Sequence, residues 1–387
     1  MAKEITRAEK NRSFILKHNL RATSADPGEL EMFNIENCVG VIRVPLGLAH
    51  PLQLKGPDAM GNLSIDSIRV PLATYEPTLV ASCSRGCKAF NIAGGVNFEV
   101  LDDGMSRAPV FIFDHPGDAV CFAQAVLALQ AEFSVWAEST SQHVQLKKMQ
   151  PSVIGSQVHL LCTYHCGSAA GQNMVTKATK HACDMLREKY EDRFFIRDFF
   201  IEGQLASDKK PSWGNVKTPR GVEVIVWGTI TNQACQSVFG CSTDRLLRIQ
   251  NIAKEGGIRN GQFGSNINTA NVLSPMFIAT GQDVGSVAEA SWSHLTSDLD
   301  EETKDLRMTL YFPSLPVGTV GGGTVYPTQK EALELIGCAA PGTKGRLAGV
   351  IAAAALALEA STSAAVANDT FTQSHMRLAR GEHDSRL

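Results

Sequence analysis

A chain of 387 residues is too long for one simple core, and its length suggests two or three domains. Apolar residues make up 44% and charged residues 19%, the profile of a globular protein with a sizeable core, not of a disordered chain. A formal net charge of -3 without a long basic run argues against a sequence-independent grip on nucleic acid. Phosphorylated small molecules, which need only a local cluster of donors, stay open.

The polar first thirty residues read as a helical arm, too charged for a signal peptide. "VPLGLAHPLQLKGP" follows as a turn-rich block, and "DSIRVPLA" as a strand. "EPTLVASCSRGCKAFNIAGG" has helical spacing over residues 77–89, a glycine stop at Gly94 and Gly95, and Glu76 at its mouth. A compact unit spans about 109–200. Its "PVFIF" is a strand, "GDAVCFAQAVLALQAEF" a helix capped by Asp118, and "SQVHLLCTYH" a strand. "GQNMVTKATKHACDMLREKY" is a second long helix, and "RFFIRDFFI" a closing strand. Helices returning between strands point to a small α+β unit of the split βαβ kind, inserted in a larger domain.

The larger domain resumes at "SDKKPSWGN" and the alternating strand "GVEVIVWGTI". Helical "TDRLLRIQNIAKEG" and "NTANVLSPMFIATGQD" follow, and then a strand, a glycine-rich loop and a helix through "DLRMTLYFPSLPVGTVGGGTVYPTQKEALELIG". The longest apolar run, residues 347–358, falls short of the ~18 residues of a membrane span. It reads as a buried alanine-rich helix, so a soluble, cytoplasmic protein with no membrane partner is expected.

Ten cysteines are scattered from Cys38 to Cys338 without a disulfide framework. Cys83 with Cys87 and Cys162 with Cys166 share a C-x-x-x-C spacing, with His165 beside the second pair. Zinc sites favour C-x-x-C and repeated pairs, so reduced thiols and no metal are expected. Two glycine-rich turns, "CGSAAGQNM" and "VGGGT", open helices whose free N–H groups suit phosphate or a developing oxyanion. Neither is a G-x-G-x-x-G, and each is also an ordinary tight turn. The ionisable candidates are Glu76, Lys209, Lys210, Asp283 in "TGQDVG" and His375 in "QSHMRL". Singly, each has a structural explanation: a helix cap, surface charge or a polar tail.

Read in order, "ENCVGVIRVPLGLAHPL", "PLATYEPTLVASCSRGCKA", "LDDGMSRAPV", "DKKP", "GQD", "TVGGGT" and the C-terminal "SHM" resemble the 3-hydroxy-3-methylglutaryl-coenzyme A (HMG-CoA) reductase family. The resemblance covers the chain from about Glu36 onward. It implies an α+β fold: a large mixed helix and sheet domain (36–108 and 201–365) with a small ferredoxin-like domain (109–200) inserted to bind the nicotinamide cofactor. An N-terminal arm (1–35) and a C-terminal flap (366–387) complete it. The family's E-N-x-x-G segment contributes to a dimer interface. A homodimer or dimer of dimers with the active site between subunits is therefore implied.

Carried over residue by residue, the resemblance implies Glu76, Lys209, Asp283 and His375 as the catalytic set. Such enzymes reduce HMG-CoA to mevalonate and free coenzyme A by two hydride transfers from NADPH, with NADH an alternative. Lys209 then stabilises the oxyanion, His375 protonates the coenzyme A thiolate, and Glu76 donates a proton, tuned with Lys209 by Asp283. Substrate contacts fall to Ser82, Arg85, Arg107, Lys210 and Asn271. Cofactor contacts fall to His165, Gly167, Ser168, Gly171, Gln172, Asn173, Gly321 and Gly322. The family's cofactor loop reads G-D-A-M-G-M-N where residues 167–173 are "GSAAGQN", and Glu202 stands where the family has a serine. Gly381 replaces a regulatory serine of some members. A reductase of HMG-CoA, a reductase of a related acyl thioester and a non-catalytic homologue that binds ligand or partner chains all stay open.

Overall fold

A computed structural model describes Lys17 and residues 31–369. Most of the expected arm, and the tail with His375, lie outside the described residues. The strands are β1 (Leu46–Leu48), β2 (Leu52–Pro57), β3 (Leu63–Ile68), β4 (Pro71–Ala73), β5 (Val96–Arg107) and β6 (Val110–Ile112). They continue with β7 (Gln145–Ile154), β8 (Gln157–His165), β9 (Asp198–Phe200), β10 (Gly221–Ile230), β11 (His294–Leu299) and β12 (Leu306–Leu315). With long helices on separate stretches of chain, the class is α+β.

The larger sheet runs β11-β12-β10-β5 with antiparallel neighbours, and β2 lies parallel beside the start of β5 with β3 outside it. The smaller sheet has the order β7-β8-β6-β9. Its chain order of strand, helices, two strands, helix and strand is the ferredoxin-like split βαβ arrangement. One strand joins the two sheets. The first part of β5 pairs with β10, and Met105, Ser106 and Arg107 pair with β8. Pro109, which has no N–H to donate, interrupts the ladder before β6.

Two large apolar cores follow, with a small third cluster around Ala73, Ala279 and Ala332. One gathers Phe90, Phe98, Val224, Leu310 and Phe312 around the helix Lys344–Ala367. The other, which includes Phe111, Phe122, Leu160 and Leu186, draws on residues between 105 and 196. The alanine-rich helix is buried along almost its whole length because alanines let neighbours come close. Gly86 of the helix Leu79–Ile92 lies so near that a Cβ there would sit 1.8 Å from the Ala357 carbonyl oxygen.

Several expectations need correction. "VPLGLAHPLQLKGP" is not only turns: it holds β1 and β2, each bounded by a proline or glycine that reads as punctuation. "DSIRVPLA" splits, with β3 pairing to β2 and β4 to β1. Asp118 is not the cap of its helix. His115 occupies that position, Pro116 is in the first turn, and Asp118 only places charge near the helix start. A 3-10 turn, Val126–Leu129, breaks that helix before Gln130–Glu138. The closing strand is only β9, since the helix Gln172–Phe194 runs on until Phe195 turns left-handed at φ 57°. The alanine-rich helix spans 24 residues, and by length and composition it and the stretch Pro116–Glu138 could each cross a membrane. The first of these is packed inside the protein.

Candidate active site

Gly281 closes the helix Ala270–Thr280 at φ 71°, and a Cβ there would lie 2.4 Å from the Gly323 carbonyl carbon. Glycine at both positions lets the two loops touch backbone to backbone. Gln282 Oε1 accepts the Gly318 N–H at 2.9 Å and ties them further. Asp283 then caps the turn Val284–Ser286, with Oδ1 accepting from Gly285 N–H at 3.0 Å. Its Oδ2 lies 2.9 Å from Lys209 Nζ. The carboxylate raises the Lys209 pKa above lysine's ordinary value, against a smaller opposing effect of burial. Both side chains remain partly open to solvent, 47% for Lys209 and 38% for Asp283.

This pair borders a cavity of about 760 Å³ whose other walls include residues 171–173 and 321–323. The helix Gln172–Phe194 opens there from Gly171, at φ 89°, with no side-chain cap and no acidic residue in its first turn. Its first N–H groups are therefore unopposed donors. Gly321 and Gly322 are left-handed, and a Cβ on either would meet nothing within 4 Å. Ser168 fastens its own loop in place. Its hydroxyl accepts the Gly342 N–H at 2.7 Å, and its carbonyl accepts Thr319 N–H at 2.8 Å. Residues 168–169 are thus held to the strand-like run before the second glycine loop. Gln172 Nε2 donates to Ser286 Oγ at 3.2 Å, linking the first loop to the Asp283 turn. His165 Nδ1 lies 3.2 Å from Asp103 Oδ2, which also holds Lys344 at 2.6 Å.

A second group stands on the alanine-rich helix. Glu76 is exposed, and its Oε1 accepts from Asn271 Nδ2 at 3.2 Å. Below, Glu359 is fully buried, and its two oxygens accept the Ile267 and Asn268 N–H groups, each at 2.8 Å. Burial pushes its pKa up to about 7 despite those donors. Thr362 Oγ1 accepts from Asn268 Nδ2 at 2.9 Å, and Asn268 O accepts from Asn271 N–H. One residue further around, Ser361 receives Arg85 through both its hydroxyl (3.0 Å) and its carbonyl (2.7 Å), and it meets Ser82 Oγ at 2.9 Å.

A third group is ionic and mostly buried. Arg107 lies 3.3 Å from Glu202 and 3.7 Å from Asp208. Arg220, with no exposed side chain, pairs with Asp208 at 2.8 Å and with Glu289 at 2.6 Å. Burial raises the Glu289 pKa to about 7, with Arg220 opposing. Lys210 reaches Gln204 Oε1 at 2.7 Å on the surface.

Lys209, Asp283, Gly171, Gln172, Asn173, Gly321 and Gly322 share one cavity. Glu76 and Asn271 meet each other, as do Ser82 and Arg85 through Ser361. Among the described residues of this single chain, no direct hydrogen bond joins Glu76 to Asp283. Gly167 is left-handed with open space around its Cα. Cys162 and Cys166 are buried, and among the described residues no three His, Cys, Asp or Glu side chains gather as metal ligands. Sequence reasoning missed Glu359, Arg220 and Glu289. A lone carboxylate inside "LALEAS" was a readable signal for the first; the other two carried none.

The family model for hydroxymethylglutaryl-coenzyme A reductase matches residues 4–380. The chain belongs to this family. The reductase of Pyrococcus abyssi is 35% identical over 392 residues, covering 98% of this chain and 93% of its own length. That of Methanocaldococcus jannaschii is 33% identical, with 90% and 85% covered. Among solved structures, a class II HMG-CoA reductase from Streptococcus pneumoniae, bound to NADPH in open conformations, superposes with a TM-score of 0.68 at 18% identity. It covers 95% of this chain and 89% of that one, and it supports the fold.

Proposed function

We propose that this HMG-CoA reductase family member reduces HMG-CoA to mevalonate and free coenzyme A, with NADPH as hydride donor. The observation that carries the reading is the Lys209–Asp283 ion pair at the edge of a cavity walled by two glycine-rich loops. NADPH, when bound, supplies a hydride to the carbonyl carbon in each of two reductions. The uncapped start of the helix Gln172–Phe194 fits its phosphates, and the side-chain-free space at Gly321 and Gly322 lets a flat ligand approach backbone. NADH is the alternative donor, and the inserted unit 109–200 is assigned to the cofactor.

Lys209 carries the chemistry of both reductions by offering an ammonium where negative charge grows on the carbonyl oxygen. Asp283 holds that ammonium in place and keeps it protonated. After the first reduction the C–S bond breaks, and His375 is assigned to protonate the departing thiolate. After the second, Glu76 is assigned to give a proton to the alkoxide, with Asn271 orienting its carboxyl group. Arg85, Ser82, Arg107 and Lys210 are assigned to the substrate. A homodimer or dimer of dimers completing the site belongs to the same proposal. The exposed Ile42, Leu46 and Leu48 next to the "ENCVG" segment support it. A soluble, cytoplasmic location is part of it too.

The test is direct: folded protein with HMG-CoA and NADPH should oxidise nicotinamide and release free thiol. Absence of both, with NADPH and with NADH, would sink the reading. A second reading, a related acyl thioester as substrate, is favoured by one contact. Glu202 pairs with the buried Arg107 and so occupies a cation otherwise assigned to the substrate's distal carboxylate. Comparing HMG-CoA with acyl thioesters that lack this carboxylate, in the natural chain and in Glu202→Ser, separates the two.

A further inference from the structure

The loop that carries Lys209 is strained. Gln204, Ser207 and Lys209 all hold left-handed backbone, at φ 69°, 52° and 60°. Each such non-glycine conformation is strained, and it persists only where surrounding contacts over-determine it. Those contacts include Asp208, which lies between two of the three and faces two guanidinium groups, Arg220 at 2.8 Å, as an ion pair without hydrogen-bond geometry, and Arg107 at 3.7 Å.

Arg220 reaches further. Its side chain is wholly buried at the start of β10, and its other terminal nitrogen donates to Glu289 Oε1 at 2.6 Å. Glu289 lies on the short helix Val287–Ala290, which follows directly on the turn capped by Asp283. One guanidinium therefore ties the loop of Lys209 to the element of Asp283, and on the outer side those two meet at 2.9 Å. A buried ion triad is a poor device for stability alone, since well-packed apolar residues do as well. A planar fork that spans two loops is a good device for fixing their spacing.

We propose that Arg220 is a positioning residue that sets the Lys209–Asp283 pair by hydrogen-bonding Glu289 with one terminal nitrogen and facing Asp208 as an ion pair with the other. The proposal rests on the reading of Lys209 and Asp283 as catalytic.

The test uses the full chain in two forms, Arg220→Lys and the double variant Arg220→Met with Glu289→Leu. The second removes the clamp without changing net charge and fills the space with apolar atoms, so its fold should hold. Each is read by thermal melting, by kcat and KM, and by NMR titration of 13C-methylated lysines, with Lys209 assigned through Lys209→Arg. The charged groups facing Lys209 are Asp283, Asp208 and Glu289. Melting close to that of the natural chain is expected in the double variant. In both, kcat should fall about 30–100-fold with KM for the thioester changed by no more than about threefold. In Arg220→Lys, which leaves Asp208 and Glu289 in place, the Lys209 resonance should titrate at lower pH than in the natural chain; in the double variant, where loss of the Glu289 charge alone lowers it, kcat against KM decides.

If Arg220→Lys does not fold, the double variant decides alone. A folded Arg220→Lys with unchanged kcat and an unshifted Lys209 titration, or a folded double variant with unchanged kcat, overturns the proposal. The NMR arm needs no turnover. A natural chain that failed to reduce HMG-CoA would defeat the proposed function and still leave the clamp to be judged.

Discussion

The rim of the cavity and the buried floor of the separate group on the alanine-rich helix hold a carboxyl group in opposite ways. At the rim, Asp283 is partly exposed and faces a cation, Lys209, at 2.9 Å. On the floor, Glu359 is completely buried, and its two oxygens accept from two backbone N–H groups. An exposed ion pair contributes little to stability, because water screens it and two long side chains must be ordered. It keeps its charge available to a reacting group. A buried carboxylate on backbone donors does the reverse: it shapes a loop and reacts with nothing. The rim is therefore expected to govern rate and the floor to govern shape.

The largest effect should come from Lys209→Met. Removing an oxyanion-stabilising group costs on the order of 10²–10³ in kcat. The same change should alter stability by less than about 1 kcal/mol, because the pair is solvent-exposed. Steady-state kinetics together with chemical denaturation test the contrast. A comparable loss in both quantities would erase the distinction between rim and floor.

Glu359 should show the opposite signature. Its pKa rises from the ordinary carboxylate value near 4.5 to about 7 on folding, because burial disfavours the charge. The folded state thus holds a proton that the unfolded chain has already released. Stability from this group is fully present below pH 4.5 and is lost as pH rises through about 7, by on the order of 3 kcal/mol. Melting of Glu359→Gln across that window should lack this part of the slope. An identical pH dependence in the variant and the natural chain would show that the carboxylate is not titrating as described.

Asn271→Ala probes the link between the two regions. Asn271 touches Glu76 above and Asn268 below, and Asn268 in turn rests on Glu359. Loss of a hydrogen bond to a partly solvated carboxylate should lower kcat about tenfold. Stability should move little, so the result places Asn271 with the rim. A large loss of stability with unchanged kcat would place it with the floor.

Local patterns explain what could be read from sequence. The alternation in "GVEVIVWGTI" is β10, and the helical run after "CGSAAG" is the helix Gln172–Phe194. β5 was hidden because "LDDG" contains residues that disfavour strands. Lys147 and Lys344 bring compensating charges to those two aspartates, and the His165 ring contacts Asp103, all from distant parts of the chain. For the same reason Arg220 was illegible. "TPRGVE" looks like a turn before a strand, and only tertiary folding brings Asp208 and Glu289 to either side of it. Glu359 was the opposite case, since a carboxylate in an alanine-rich helix is costly to bury and its position alone asked for donors.

Ser168 offers the smallest effect and the finest distinction. It stands in the glycine loop, where a residue would be assigned to the cofactor, yet its hydroxyl already accepts the Gly342 N–H at 2.7 Å. Ser168→Ala deletes that acceptor, and Gly342 is exposed enough for water to replace it. The expected cost is about 0.5–1 kcal/mol of stability, the net value of one neutral hydrogen bond. KM for NADPH should rise about twofold or less if the hydroxyl only fastens the loop. A tenfold rise in KM with unchanged melting would mean that the hydroxyl leaves Gly342 to bind the cofactor. Ser168 would then belong with Lys209 as a residue of the rim.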